Sequence, residues 1–234
     1  METPREKRKT ITKMKVLAVI FAIVVASSGL TALFFQNLAN KAKPVTTIRV
    51  ACVGDSITEG TEYPNDLWMM LNASYRVENF GVGGSTVLLS SGKPYMNQTA
   101  FEKAKEYLPN IVVIMLGTND ASPTDYQHIE SFVVDYEKLI GEFQSLASTP
   151  KIWLATPPPI FNNASGPNSV NLVQGVIPRI EKVANESGLL TVDVYNALVN
   201  HPEYFPADGV HPNGEGAKLI ANLVFGAITP PKSG

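Results

Sequence analysis

Cysteine is almost missing from this chain: Cys52 stands alone among 234 residues. One thiol excludes an internal disulfide framework and a cysteine-rich zinc site. Placed in an apolar run, Cys52 reads as a small buried hydrophobe. Histidine is also scarce, at three residues (His128, His201 and His211), so any imidazole chemistry must come from a very short list. A basic face is missing too. Eight of the 19 Lys and Arg and two of the 21 Asp and Glu fall in residues 1–44, which leaves the rest with a net charge of −8. An acidic body without a basic stripe argues against nucleic acid as a partner. There is no internal repeat, no low-complexity tract and no long apolar lid after the first 35 residues. What remains is 44% hydrophobic and 17% charged, the balance of a globular chain.

The basic residues gather around one feature. Residues 1–15 form a cationic flank, and Val16–Phe35 carries no charge. Twenty helical residues span ~30 Å, the thickness of a bilayer's hydrocarbon core. The positive-inside rule then keeps the N-terminus in the cytoplasm and exports the body. An uncleaved transmembrane anchor fits the full length. A cleaved signal peptide fits the shorter run Val16–Val25 followed by Ala26-Ser27-Ser28. Apolar character continuing to Phe35 favours the anchor. Residues 36–47 read as a polar linker, and 48–229 as the folded domain. Four N-x-[ST] sequons, at Asn72, Asn97, Asn163 and Asn185, are compatible with export.

Within the body, apolar runs alternate with amphipathic stretches. Ile48–Val53, Tyr75–Phe80, Ile111–Leu116, Lys151–Ala155 and Leu189–Asp193 read as strands. Ile111–Leu116 is apolar throughout, as a central parallel strand covered on both faces should be. Helices are expected over Pro64–Asn72, Gln98–Leu108, Thr124–Leu146, Val170–Glu186 and Gly214–Phe225. The alternation implies an α/β fold with a parallel sheet and helices on both faces. In such sheets ligands bind beyond the carboxyl ends of the strands. Four loops share that rim: Gly54–Gly60, Gly81–Thr86, Gly117–Ser122 and Thr156–Phe161.

Three of these loops carry polar chemistry directly after a strand. Gly54-Asp55-Ser56-Ile57-Thr58 offers a serine, which needs a positioned base to act as a nucleophile and would otherwise be a helix cap. Asn79-Phe80-Gly81-Val82-Gly83-Gly84-Ser85-Thr86 can expose backbone N–H groups. It lacks the spacing and the Lys-Ser/Thr pair of a phosphate loop. Gly117-Thr118-Asn119-Asp120 offers an amide that can donate to a developing oxyanion, or simply a turn. Nearer the C-terminus, Asp208-Gly209-Val210-His211-Pro212 places an acid three residues before an imidazole, so that the carboxylate can fix its tautomer. His128 and His201 read as surface residues. A metal site from His201, Asp208 and His211 lacks a third strong ligand at useful spacing. Thr58 stands where the G-x-S-x-G elbow of an α/β-hydrolase needs glycine.

The blocks GDSIT, NFGVGGST, GTND and DGVHPN together resemble the SGNH (GDSL-type) hydrolase superfamily across residues 48–227. That resemblance implies a three-layer α/β/α fold with a five-stranded parallel, flavodoxin-like sheet, preceded here by the N-terminal helix. It implies a serine esterase in which Ser56 is the nucleophile and Asp208 and His211 complete the triad. The oxyanion hole would be Ser56 N–H, Gly84 N–H and the Asn119 amide, with Gly83 the alternative if the glycine register slips by one. Asp55, Asn79, Thr118 and Asp120 would hold the loops, and neither metal nor cofactor is required.

Within the superfamily the chain looks most similar to sialate O-acetylesterase-like enzymes, on the stretches Gly92–Tyr95 and Pro157–Phe161. That implies a small-molecule or carbohydrate ester as substrate, with acetyl the expected acyl group. Tyr95, Trp68 and Phe161 are candidates for stacking on a sugar. A lysophospholipase or thioesterase of the same fold remains an alternative, as does a non-catalytic surface module that binds carbohydrate.

Overall fold

The computed structural model describes Thr31 and residues 47–161, 166–206 and 208–229. The chain divides between Thr46 and Thr47, and the unit from Thr47 onward carries the fold. The expected membrane segment at 16–35 lies outside the described residues, apart from Thr31. Among the described residues no helix is long and apolar enough to cross a membrane.

Five strands form one parallel sheet: β1 (Ile48–Gly54), β2 (Tyr75–Gly81), β3 (Ile111–Met115), β4 (Lys151–Ala155) and β5 (Leu190–Val192). Their spatial order is β2-β1-β3-β4-β5. This is the flavodoxin-like order, and the chain reverses its direction of winding between β1 and β3. β5 is shorter than Leu189–Asp193 because Asp193 leaves the ladder to cap the next helix, accepting from Asn196 N–H at 3.0 Å.

The side-chain alternation of the strands sorts the core into two layers. Ala51, Val53, Val112 and Ile114 face one way, against Phe101, Phe132, Tyr136, Phe143, Ile180 and Val183. Those residues belong to α3 (Thr99–Glu106), α4 (Phe132–Gln144) and α5 (Ile177–Ser187), or adjoin them. Val50, Cys52, Val113 and Met115 face the other way, against Leu67, Leu198, Ile220 and Val224. That layer holds α2 (Tyr63–Met70), α6 (Val194–Leu198) and α7 (Gly214–Ile228). A short α1 (Ser56–Gly60) follows β1 directly.

Two expected helices are interrupted. Thr124–Leu146 opens as a 3₁₀ stretch, Asp125–Ser131, which bends at His128 (φ −107°, ψ 15°) before α4 begins. Ser122 and Asp125 bond to each other there at 2.8 Å, a local pairing that competes with regular helix. Val170–Glu186 passes through a π-type turn at Leu172–Val176 before α5. Pro178 has no N–H to give the Gln174 carbonyl, so the ladder widens just ahead of it. α5 ends on Gly188 in the left-handed region (φ 64°), as expected of a C-terminal glycine.

Candidate active site

β1 delivers Asp55 and Ser56 to the rim beside the reversal between β1 and β3. Asp55 is the helix cap: its Oδ1 accepts the Ile57 N–H at 2.9 Å. Ser56 therefore stands at the first helical position, where its backbone N–H has no intrahelical acceptor. Among the described residues nothing else takes that N–H.

His211 reaches Ser56 across the rim. Its Nε2 lies 2.8 Å from Ser56 Oγ, and its Nδ1 lies 2.6 Å from Asp208 Oδ2. Asp208 Oδ1 also accepts the backbone N–H groups of Val210 and His211, both at 2.9 Å. The carboxylate thus fixes the turn and the ring together. Burial pulls the Asp208 pKa upward, but the bonds from His211 and Val210 outweigh it and bring the pKa down to about 2. An acid ionised at neutral pH favours a proton on Nδ1, leaving Nε2 as the acceptor facing the serine. The Asp208 and His211 side chains are 48% and 44% exposed, so one edge of the site opens to solvent.

The glycine loop runs alongside. Ser85 N–H bonds to the Val82 carbonyl at 3.1 Å, closing a four-residue turn with Gly83 and Gly84 at its centre. Gly84 has φ +74°, a conformation that favours glycine. Gly83 lies against the serine, since a methyl group built on it would sit 3.6 Å from Ser56 Cβ. The Gly83 N–H is already spent on Glu59 Oε2 at 2.7 Å. Gly84 N–H has no acceptor among the described residues, which separates it from Gly83 as the free donor. Asn119 Nδ2 gives one hydrogen to the Ser85 carbonyl at 3.0 Å, and an amide has two. Among the described residues, Ser56 N–H, Gly84 N–H and the second Asn119 amide hydrogen therefore have no acceptor.

The supporting residues hold this frame. Asn79 Nδ2 donates to the Thr58 carbonyl at 2.6 Å and its Oδ1 accepts the Gly81 N–H at 2.9 Å, pinning β2 to α1. Asp120 accepts the N–H groups of Leu88 at 2.9 Å and Val87 at 3.1 Å. Burial nevertheless pushes the Asp120 pKa up to about 7. Asp55 is also fully buried, and its Oδ2 meets no hydrogen-bond partner among the described residues. Burial raises its pKa to about 6, opposed by the Ile57 N–H, the nearby Thr118 side chain and His211. Thr118 lies buried between these loops.

Other candidates fare differently. Tyr95 is fully buried and donates to the Phe80 carbonyl at 2.7 Å, so it belongs to the core and cannot stack on a ligand. Trp68 is half-exposed on α2. Phe161 packs on Phe205 with ring centroids 5.1 Å apart, and its N–H bonds to the Gly209 carbonyl at 2.7 Å, so it borders the histidine turn. His201 pairs with Glu203 at 2.8 Å and stacks on Tyr204. Among the described residues no three His, Cys, Asp or Glu side chains converge as a metal cage requires. Sequence reasoning passed over Asp135, whose Oδ2 accepts the Leu89 N–H at 3.0 Å beside the Asp120 pair. Glu59 and Lys93, which flank the glycine turn, were missed as well.

Comparison with known proteins points one way. The pattern of the GDSL-like lipase/acylhydrolase family matches residues 52–219. An acetylxylan esterase from Xylanibacter ruminicola is 34% identical over 223 residues, which covers 82% of this chain and 46% of that protein. A second relative, a multidomain esterase from Ruminococcus flavefaciens, is 30% identical over 116 residues, covering 48% of this chain and 14% of its own length. This chain thus spans less than half the length of these curated relatives. A solved carbohydrate acetylesterase from Sinorhizobium meliloti superposes with a TM-score of 0.66 at 17% identity, over 78% of this chain and 98% of the other. At that identity the likeness speaks to the fold alone.

Proposed function

This chain belongs to the GDSL-like lipase/acylhydrolase family, and from that premise we propose that it is a serine esterase removing small acyl groups, acetyl first, from carbohydrate esters. The observation that carries the reading is the unbroken line from Asp208 through His211 to Ser56, with 2.6 Å and 2.8 Å contacts, together with Ser56 and Gly84 N–H groups that no described residue accepts.

The chemistry follows from that geometry. Ser56 Oγ attacks the ester carbonyl as His211 Nε2 takes its proton. The carbonyl oxygen becomes an oxyanion, held by Ser56 N–H, Gly84 N–H and Asn119. Collapse expels the alcohol, which receives the proton from the imidazolium, and leaves an acyl-serine. Water, deprotonated by His211, attacks that ester and releases the carboxylic acid. Asp208 keeps the ring oriented and stabilises its charged form without taking the proton.

The substrate class rests on shape and kinship. A half-exposed base leaves room for a bulky alcohol such as a sugar chain while a short acyl group enters beside Ser56. The acetylxylan esterase relative supports an acetylated polysaccharide. Localisation rests on the sequence: the uncharged run 16–35 behind a cationic flank supports a domain held outside the cytoplasm. Protease digestion of intact cells should then remove the domain, and full protection would oppose that placement.

The decisive test is hydrolysis of p-nitrophenyl acetate, then of acetylated xylooligosaccharides, beside esters of longer chains. The acetyl substrates should turn over fastest. Ser56→Ala should abolish turnover and fluorophosphonate labelling while the circular dichroism spectrum stays that of the parent. Full activity in that variant rejects the assignment, and folded parent protein that neither hydrolyses nor labels favours a binding module.

A further inference from the structure

We infer that Lys93 is a positioning residue for the oxyanion hole, holding the Gly83–Gly84 peptide in the one orientation that presents the Gly84 N–H to the reacting oxygen. The inference rests on the esterase reading and deepens it.

A trans peptide carries its carbonyl and its N–H on opposite edges. Fixing one edge fixes the other. Lys93 Nζ donates to the Gly83 carbonyl at 2.6 Å, so the Gly84 N–H is held pointing away from the ammonium. The Lys93 stem runs over the same residue, since its Cδ would lie 3.8 Å from a methyl group built on Gly84.

This peptide needs holding because of the turn it occupies. The Val82–Ser85 turn is closed by a single backbone bond of 3.1 Å. Its positive φ falls at Gly84 alone, which marks type II. Type I and type II turns share end points and differ by a rotation of the central peptide through about half a revolution. With glycine at both central positions, nothing steric blocks that rotation. In the type I form the Gly84 N–H would swing off its present side. A charge-assisted bond to the carbonyl opposes the flip and also polarises the peptide, which makes the N–H a better donor.

The rest of the loop prepares Lys93 for this task. Its carbonyl accepts the Thr86 N–H at 3.1 Å, and its own N–H bonds to Ser91 Oγ at 3.2 Å. The backbone of Lys93 is therefore tied to the end of the glycine turn, and its side chain folds back over it. Glu59 grips the preceding peptide through the Gly83 N–H. Two opposite charges thus hold the two sides of one glycine next to Ser56.

The test compares Lys93→Met, Lys93→Gln and Lys93→Arg in the full chain, using p-nitrophenyl acetate and an aryl trifluoromethyl ketone that forms a tetrahedral adduct on serine. Losing one whole oxyanion donor costs about 10²–10³ in turnover, so losing its orientation should lower kcat about 10- to 100-fold. KM should stay within twofold, ketone affinity should fall by the same factor as kcat/KM, and Arg should restore most of both. Lys93 is exposed, so Lys93→Gln carries the experiment should Lys93→Met fail to fold. An active parent whose Met and Gln variants keep kcat within twofold, or lose activity through KM alone, overturns the role of Lys93 and leaves the esterase reading standing. A folded parent that is inactive and unlabelled at Ser56 overturns the esterase reading and this inference with it.

Discussion

Asn119 gives one amide hydrogen to the Ser85 carbonyl at 3.0 Å, and on the esterase reading the other is an oxyanion donor. Asn119→Ala removes both, so kcat for p-nitrophenyl acetate should fall about 10²–10³-fold. Steady-state kinetics with KM little changed would show it. Ser56, Asp208 and His211, which the structure brings within hydrogen-bond reach of one another, were legible because the short loops that carry them are rare in combination. Glu59, Lys93 and Asp135 were not legible. Glu59 and Asp135 each take a backbone N–H of a separate loop, Lys93 folds back onto a carbonyl of its own loop, and no composition or spacing records such contacts. The resemblance put Gly84 ahead of Gly83, and the reason lies in a contact that no spacing records: Glu59 occupies the Gly83 N–H.

Among the elements, the turn that carries Asp208 and His211 is tightly constrained. Gly209 has φ +74°, and a methyl group there would sit 1.5 Å from the Phe161 carbonyl oxygen. Gly209→Ala must therefore move backbone on both sides. It should destabilise the protein by about 1–3 kcal/mol, seen as a lower thermal midpoint. Turnover should fall as well, because Asp208 and His211 flank the displaced residue. The strand and helix pattern was largely readable, since β1 and β3 are buried on both faces and so stand out as nearly unbroken apolar runs. The breaks in the two long helices were harder to foresee. A 3.6-residue periodicity continues across the bend at His128 and the wide turn before Pro178, because the apolar face is needed on both sides of each break.

For the molecule as a whole, stability depends on the two packed layers and, through pH, on the buried acid Asp120. Phe132 is fully buried and meets Tyr136 edge-on, with ring centroids 5.6 Å apart. Phe132→Ala should cost about 3–5 kcal/mol, measured as a lower urea midpoint. Turnover per folded molecule should hardly change, since the site lies beyond the ends of the strands. Burial raises the Asp120 pKa from 3.8 to about 7. The folded state then holds its proton more tightly than the unfolded state does. This contribution is full below about pH 4 and is lost as pH rises through about 7. Asp120→Asn should destabilise the protein, because an amide hydrogen then faces the Val87 or Leu88 N–H. The gap between parent and variant should narrow from pH 4 to pH 7, read from urea midpoints at each pH. A gap that is constant or widening contradicts the raised pKa. Asp208 acts in the opposite sense, losing its contribution as pH falls through about 2, so it does not enter that window.

The hydroxyl at Ser56 and the imidazole at His211 are 155 residues apart in the chain. One leaves the first strand of the domain and the other precedes its final helix. On the esterase reading, a chain cut short of His211 carries Ser56 without its base and should hydrolyse no ester, so turnover would serve as a gauge of completed folding.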